Sequence, residues 1–268
     1  MNKLTTLKNA MEAIHDSASI CLGGNALNRA PMVAAFELAK QNKKNLWLIK
    51  TAGALDIDLL CLTGCVGRVD AGFISNETKY SLAQNFRKAV QNGIVHMNEH
   101  ACYTIISALR AACYGLPFMP VKGMIESDLI DVNPLFKRVI DPFSGDPIIV
   151  VSSLKPDWTV LHVQKADSQG NGQIDGPEYE DVLMSRAAAK VILTTEEIVP
   201  DDYFYKSETK ASIPGFLVES VVHVPQGAAP GSCYGKYEPD DKMIRDLISL
   251  GSKEELMSLL FNKERCHV

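Results

Sequence analysis

Short apolar runs alternate with stretches of helical spacing along the first 120 residues, and this repeat constrains the fold more than any other feature. Residues 19–22, 45–51, 68–73, 94–97 and 118–121 read as strands. Residues 4–14, 31–41, 56–62, 80–91 and 98–114 read as the helices that separate them. The strands are apolar throughout instead of alternating polar and apolar, as expected where both faces of a strand are covered. The pattern therefore predicts an α/β fold, a mostly parallel sheet with helices on both faces. From 122 to 146 the repeat lapses into a Pro-, Asp- and Gly-containing connection, which reads as a lid or an excursion over the sheet. Strands resume at 147–151, 158–163, 191–195 and 216–224, with a helix at 179–189 and further helices at 240–250 and 253–261. No repeat and no low-complexity linker divides the chain, so residues 1–268 are read as one domain.

The first strand ends in Gly23-Gly24-Asn25, with Asn28, Arg29, Ala30 and Pro31 leading into a helix. Paired glycines allow backbone conformations closed to other residues. Asn28 is expected to cap the helix, and Pro31 suits its first turn. Free N–H groups at such a turn suit a phosphate or an oxyanion, and a tight structural turn fits the same residues. The third glycine of a dinucleotide fingerprint and the Gly-Lys-Ser/Thr of a P-loop are both missing.

Glu99 and His100 follow the fourth strand and are read as the first turn of the next helix. A glutamate there complements the helix dipole, or else it is a carboxylate aimed into a cleft as general base or nucleophile. Glu77, after the third strand, is a weaker candidate of the same kind. His162 sits in an apolar strand and reads as a hydrogen-bonded core residue. His96 and His100 have no third ligand at useful spacing, so no metal site is expected. The net charge of −5 argues against nucleic acid and anionic membranes as partners, and no apolar run reaches membrane-spanning length. Seven cysteines, at 21, 61, 65, 102, 113, 233 and 266, lie mostly in apolar segments, and reduced thiols in the cytoplasm are expected.

Several stretches in order resemble the alpha subunit of family I CoA-transferases, the glutaconate type in particular. They are Leu22-Gly-Gly-Asn with Arg29-Ala-Pro31, Gly115-Leu-Pro-Phe-Met-Pro120, Leu161-His-Val-Gln-Lys-Ala-Asp167, Thr195-Glu-Glu-Ile198, Ile213-Pro-Gly215 and Cys233-Tyr-Gly235. The resemblance implies a ribose-5-phosphate isomerase-like α/β core with an antiparallel, lid-like portion. It also implies a heterodimer or heterotetramer with a beta subunit that carries the nucleophilic glutamate, in a Glu-Asn-Gly or Ser-Asn-Gly setting. Neither tripeptide occurs here; Ser75-Asn76 runs into Glu77. By the same resemblance, Gly23, Gly24 and Asn25 supply oxyanion contacts and Arg29 binds a substrate carboxylate. Glu77 and His100 stand beside them as further substrate contacts. Coenzyme A is then a moiety of the substrate, with no permanently bound cofactor.

Asn25 stands where glutaconate-type enzymes carry an aromatic residue, and relatives of this scaffold hydrolyse or decarboxylate thioesters, the hydrolases using a glutamate near the position of Glu99. Three functions remain open on the sequence. The first is a transferase subunit for small dicarboxylic acyl groups in fatty acid or amino acid catabolism. The second is a thioester hydrolase or decarboxylase using Glu99, and the third a structural subunit without chemistry of its own.

Overall fold

The structure, a computed structural model, describes residues 2–206 and 210–264; Cys266 lies outside the described residues. The first half of the chain runs α1 (Leu7–Glu12), β1 (Ser19–Leu22), α2 (Met32–Lys40), β2 (Leu46–Gly53), α3 (Leu55–Leu62), β3 (Val66–Ile74), α4 (Glu77–Tyr80), α5 (Gln84–Gln91), β4 (His96–Glu99) and α6 (Cys102–Cys113). Then come β5 (Phe118–Val121), α7 (Leu129–Val132), β6 (Phe136–Ile140), β7 (Pro147–Ser152), β8 (Trp158–Ala166), β9 (Gly172–Gln173) and α8 (Asp181–Ala187). The chain finishes with β10 (Lys190–Ile198), α9 (Tyr203–Lys206), β11 (Val218–His223), α10 (Asp241–Ile248) and α11 (Lys253–Glu264).

The main sheet has the strand order β11-β10-β8-β1-β2-β3-β4, all parallel, with β9 added antiparallel to β8. One face is covered by α1, α2, α3 and α5, where Met11, Ile14, Leu38, Ile57 and Leu60 pack on Leu48 and Val69. Against the other face lie α6, α8 and a second sheet, with Ile105, Leu109, Phe136, Val151 and Met184 over Cys21 and Ile49. Burial on both faces explains why these strands lack a polar face, and their polar residues such as Lys50, Asp70 and His162 are buried with partners.

Phe118–Val121 departs from the expected parallel array. It pairs antiparallel with β7, which also pairs antiparallel with β6, giving a separate three-stranded sheet in the order β5-β7-β6. A short apolar run fixes burial but not the direction of its partner, and β5 follows α6 into this second layer. Part of the irregular connection is therefore ordered as α7 and β6. The helix expected over 80–91 starts only at Gln84, as α5; Tyr80 ends the separate short helix α4, and Ser81, with φ 77°, stands between them.

Among the described residues no helix is long and apolar enough to cross a membrane.

Candidate active site at the open edge of the sheet

Strand order reverses at β1, with β2 on one side and β8 on the other. Open parallel sheets bind ligands in such a crevice. Here the crevice is filled from within. The Gly23 N–H donates to Val160 O at 2.9 Å and the Asn25 N–H to Asn28 O at 2.9 Å. The Gly24 N–H donates to Asp181 Oδ1 at 2.8 Å. Gly24 has φ 68°, and a Cβ there would sit 2.3 Å from Asn28 O, so this tight turn requires glycine.

Arg29, 3% exposed, pairs through Nη1 with Asp181 Oδ2 and donates to His162 O at 3.0 Å; its Nη2 donates to Pro177 O at 3.0 Å. From the opposite face the buried Lys50 donates to Gly23 O at 3.0 Å and pairs with Asp56 at 2.6 Å. The turn is thus clamped between two buried ion pairs.

These contacts engage the groups expected to meet a substrate, although Arg29 also lines a pocket of about 170 Å³ with Asn28, Asp175 and Tyr234. Gly23, Gly24 and Asn25 have no free N–H groups for an oxyanion, and Arg29 spends its fork on Asp181 and two carbonyls instead of a substrate carboxylate. Asn28 does not cap α2 either: that helix starts after Pro31 without a side-chain cap, and Asn28 Oδ1 accepts from Ser232 Oγ at 2.6 Å.

Behind Arg29 lies His162, fully buried, with Nε2 2.7 Å from Glu196 Oε1 and Nδ1 2.9 Å from Thr194 Oγ1. The same carboxylate accepts from Tyr237 OH at 2.7 Å and from the Gln226 N–H at 2.8 Å. Burial alone would raise the Glu196 carboxyl, but these donors, His162 foremost, outweigh it and hold it at about 2. Cys233 completes a group whose ligating atoms lie within 4.8 Å of one another. Burial and the Glu196 charge push its thiol up to about 11, and Glu196 already has three donors, so the group serves as a structural network.

A folded-state value below the ordinary 4.5 stabilises the fold above that pH and is lost as pH falls towards 2. Glu196→Gln is therefore expected to lower Tm at pH 7 and to flatten its fall between pH 5 and pH 3. Thermal melts across that range check this.

Glu99 and His100 are not in a helix. Glu99 ends β4, opposite Ala71 of β3, and the His100 N–H extends the pairing to Ala71 O at 3.0 Å. Helix α6 starts at Cys102. Gly72 lets it approach, since a Cβ there would lie 2.5 Å from Cys102 N. Side chains alternate along a strand, so Asn98 and Glu99 face opposite ways.

Asn98 Nδ2 donates to the buried Asp70 at 3.0 Å, and His100 Nε2 lies 3.2 Å from the same carboxylate. The His100 ring, 3% exposed, also bonds Thr104 and stands edge-on to Phe136 with centroids 5.3 Å apart. The expectation of a substrate contact at His100 is replaced by this role under α6. Burial would raise the Asp70 carboxyl, but bonds from His100, Arg68 and Asn98 overcome it and hold it below the ordinary carboxylate range.

Glu99 is exposed and faces a groove of about 480 Å³ between the sheet edge and α5. Its carbonyl is held by Asn133 Nδ2 at 2.8 Å. Phe73, Ile74, Phe86, Val90 and Met97 supply apolar walls, and Arg87 is the groove's second charged residue. Glu77, exposed with φ 64°, starts α4 and does not line this groove.

Sequence reasoning passed over Arg87, although Ala83, Arg87 and Val90 fall on one helical face. It also missed a polar corner at the end of β2. There Thr51 Oγ1 donates to Glu180 Oε2 at 2.8 Å, and Cys102 Sγ donates to Thr51 O at 3.4 Å. A larger groove of about 660 Å³ runs between α2 and residues 225–231. Its polar groups at Gln226 and Tyr237 are already committed to Glu196.

The sequence model of the Coenzyme A transferase family matches residues 4–224. The chain belongs to this family. It is 32% identical to one subunit of glutaconate CoA-transferase from Acidaminococcus fermentans, over 91% of this chain and 82% of that one. The crystal structure of glutaconate coenzyme A-transferase from that organism superposes with a TM-score of 0.91 over 97% of this chain and 88% of the other, at 30% identity. One subunit of 3-oxoadipate CoA-transferase from Pseudomonas knackmussii is 33% identical, with 91% and 87% covered. A structure of the decarboxylase AibA/AibB gives a TM-score of 0.87 at 34% identity, covering 97% and 100%. The match to a protein of Archaeoglobus fulgidus, 33% identical, spans 93% of this chain but only 56% of that longer one. A cholesterol ring-cleaving hydrolase subunit of Mycobacterium tuberculosis, 26% identical over 94% of this chain and 89% of its own, is a more distant relative. The mostly parallel sheet with its small antiparallel layer is thus the fold of the CoA-transferase family.

Proposed function

We propose that this chain is the alpha subunit of a heteromeric acyl-CoA:carboxylate CoA-transferase acting on small dicarboxylic acyl groups. The observation that carries this reading is the position of Glu99. It is an exposed carboxylate at the carboxyl end of an edge strand, over an apolar groove with no strand beyond it among the described residues. A beta subunit supplies the missing wall and the nucleophilic glutamate. That carboxylate attacks the thioester carbonyl, forming an acyl-glutamyl anhydride and releasing CoA thiolate. The thiolate attacks the glutamyl carbonyl and expels the donor acid, and the acceptor acid takes CoA from the resulting glutamyl thioester by the reverse steps. Relatives that are subunits of two-component enzymes support the partnership.

A second reading has its own support. Glu99 makes no ion pair among the described residues, which suits a base that activates water or assists loss of carbon dioxide. A hydrolase and a decarboxylase stand among the relatives.

The test is to incubate the purified two-chain complex with a panel of acyl-CoAs, with and without acceptor acids. Acceptor-dependent appearance of a new acyl-CoA supports transfer. Acceptor-independent release of CoA or of carbon dioxide supports the second reading. A complex inactive on every thioester contradicts both.

A further inference from the structure

We propose that Arg87 selects the acyl group by pairing with a carboxylate at its far end; this rests on the CoA-transferase reading above. The groove beneath Glu99 has two charged side chains, Glu99 and Arg87, and its other walls are apolar apart from Gln91. In a βαβ crossover the helix runs antiparallel to the strands, so α5 starts at the carboxyl edge with Gln84 and descends along the sheet. Arg87 is exposed and lies about one turn, roughly 5.4 Å, further from the carboxyl edge than the buried Ala83 on the same helical face.

Neither ion pair nor hydrogen bond holds the Arg87 guanidinium among the described residues. Its helical neighbours offer no acid: Ala83, Gln84, Val90 and Gln91 stand at the spacings that could reach it. The nearby Asp58 is committed to Asn85 Nδ2 and the Phe86 N–H, both at 2.9 Å. A guanidinium without a protein partner, flanked by Phe86 and Val90, presents a planar fork that matches a carboxylate. The groove's volume lies in the range of small-molecule sites. An acyl chain with its thioester end at Glu99 and a carboxylate at Arg87 satisfies both ends and buries its methylenes between them. This assigns to Arg87 the role that the sequence suggested for Arg29.

The experiment compares wild type, Arg87→Ala and Arg87→Lys in the two-chain complex. Each is assayed with a dicarboxylic acyl-CoA and with the monocarboxylic acyl-CoA of equal length. The readout is the ratio of the two kcat/KM values. Loss of a charge-assisted hydrogen-bonded pair predicts that Arg87→Ala lowers the ratio about 10–100-fold. Arg87→Lys, which keeps the charge without the fork, should retain part of the preference. A ratio that stays within about twofold of wild type in both variants overturns the proposal. So does an equal fall on both substrates, which marks a structural role. A wild-type complex inactive on both thioesters overturns the reading beneath the proposal and the proposal with it.

Discussion

Asp181→Ala is expected to destabilise the chain by about 3–5 kcal/mol, because it strands the Arg29 guanidinium in the interior. Asp181 is fully buried, and its two oxygens serve Arg29 and the Gly24 N–H. Removing it leaves a buried cation and a buried backbone donor unpaired, and either loss is costly. At about 2–4 °C per kcal/mol for a chain near this size, Tm should fall by about 6–20 °C. Arg29→Met with Asp181→Leu removes both charges together and should recover part of the loss, since a buried pair contributes less than either member alone suggests. Thermal melts of the single and double variants check this. A single variant that melts like wild type but loses affinity for a substrate acid would return Arg29 and the glycine turn to the substrate.

Glu99→Gln is expected to leave stability unchanged and to lower turnover of the two-chain complex by about 10²–10⁴-fold, the range of a general acid–base group. Its side chain is exposed and carries no ion pair among the described residues, so the substitution should stay within about 0.5 kcal/mol in stability. Melting curves and steady-state rates on the same preparation separate the two effects. Turnover within a few-fold of wild type would remove Glu99 from the chemistry and favour a structural subunit.

The sheet was legible because parallel strands buried on both faces leave a continuous apolar signal, and β1, β2, β3, β8 and β10 all carry it. β6 was not. It lies inside the irregular 122–146 stretch, and it exposes Lys137 and Arg138 while burying only Phe136. A sheet with one covered face leaves so weak a trace in a short strand.

The most recognisable motif, Leu161-His-Val-Gln-Lys-Ala-Asp167, proves largely architectural. His162 bonds Glu196, and Gln164 ties Asp175 O and Tyr234 O at 3.1 Å each. Asp167 accepts the N–H groups of Gln169 and Asn171 at 2.9 Å each.

The glycine turn misled for a related reason. The Gly24 N–H goes to Asp181, 157 residues further on, and the Gly23 N–H to Val160 O; no local pattern announces partners that distant. Glu99 stood out by following a strand. Its true setting depends on β3 and on Gly72, which decide that β4 continues to Glu99 before α6 begins. Arg87 was hidden by its own ordinariness, an arginine on a short polar helix, until the fold placed it beside an apolar groove.

The most direct test is to mix the two-chain complex with an acyl-CoA in the absence of acceptor, reduce the trapped thioester with borohydride and locate the change by mass spectrometry. One beta-subunit glutamate should be modified and none on this chain. A modified Glu99, or full turnover by this chain alone, would contradict this.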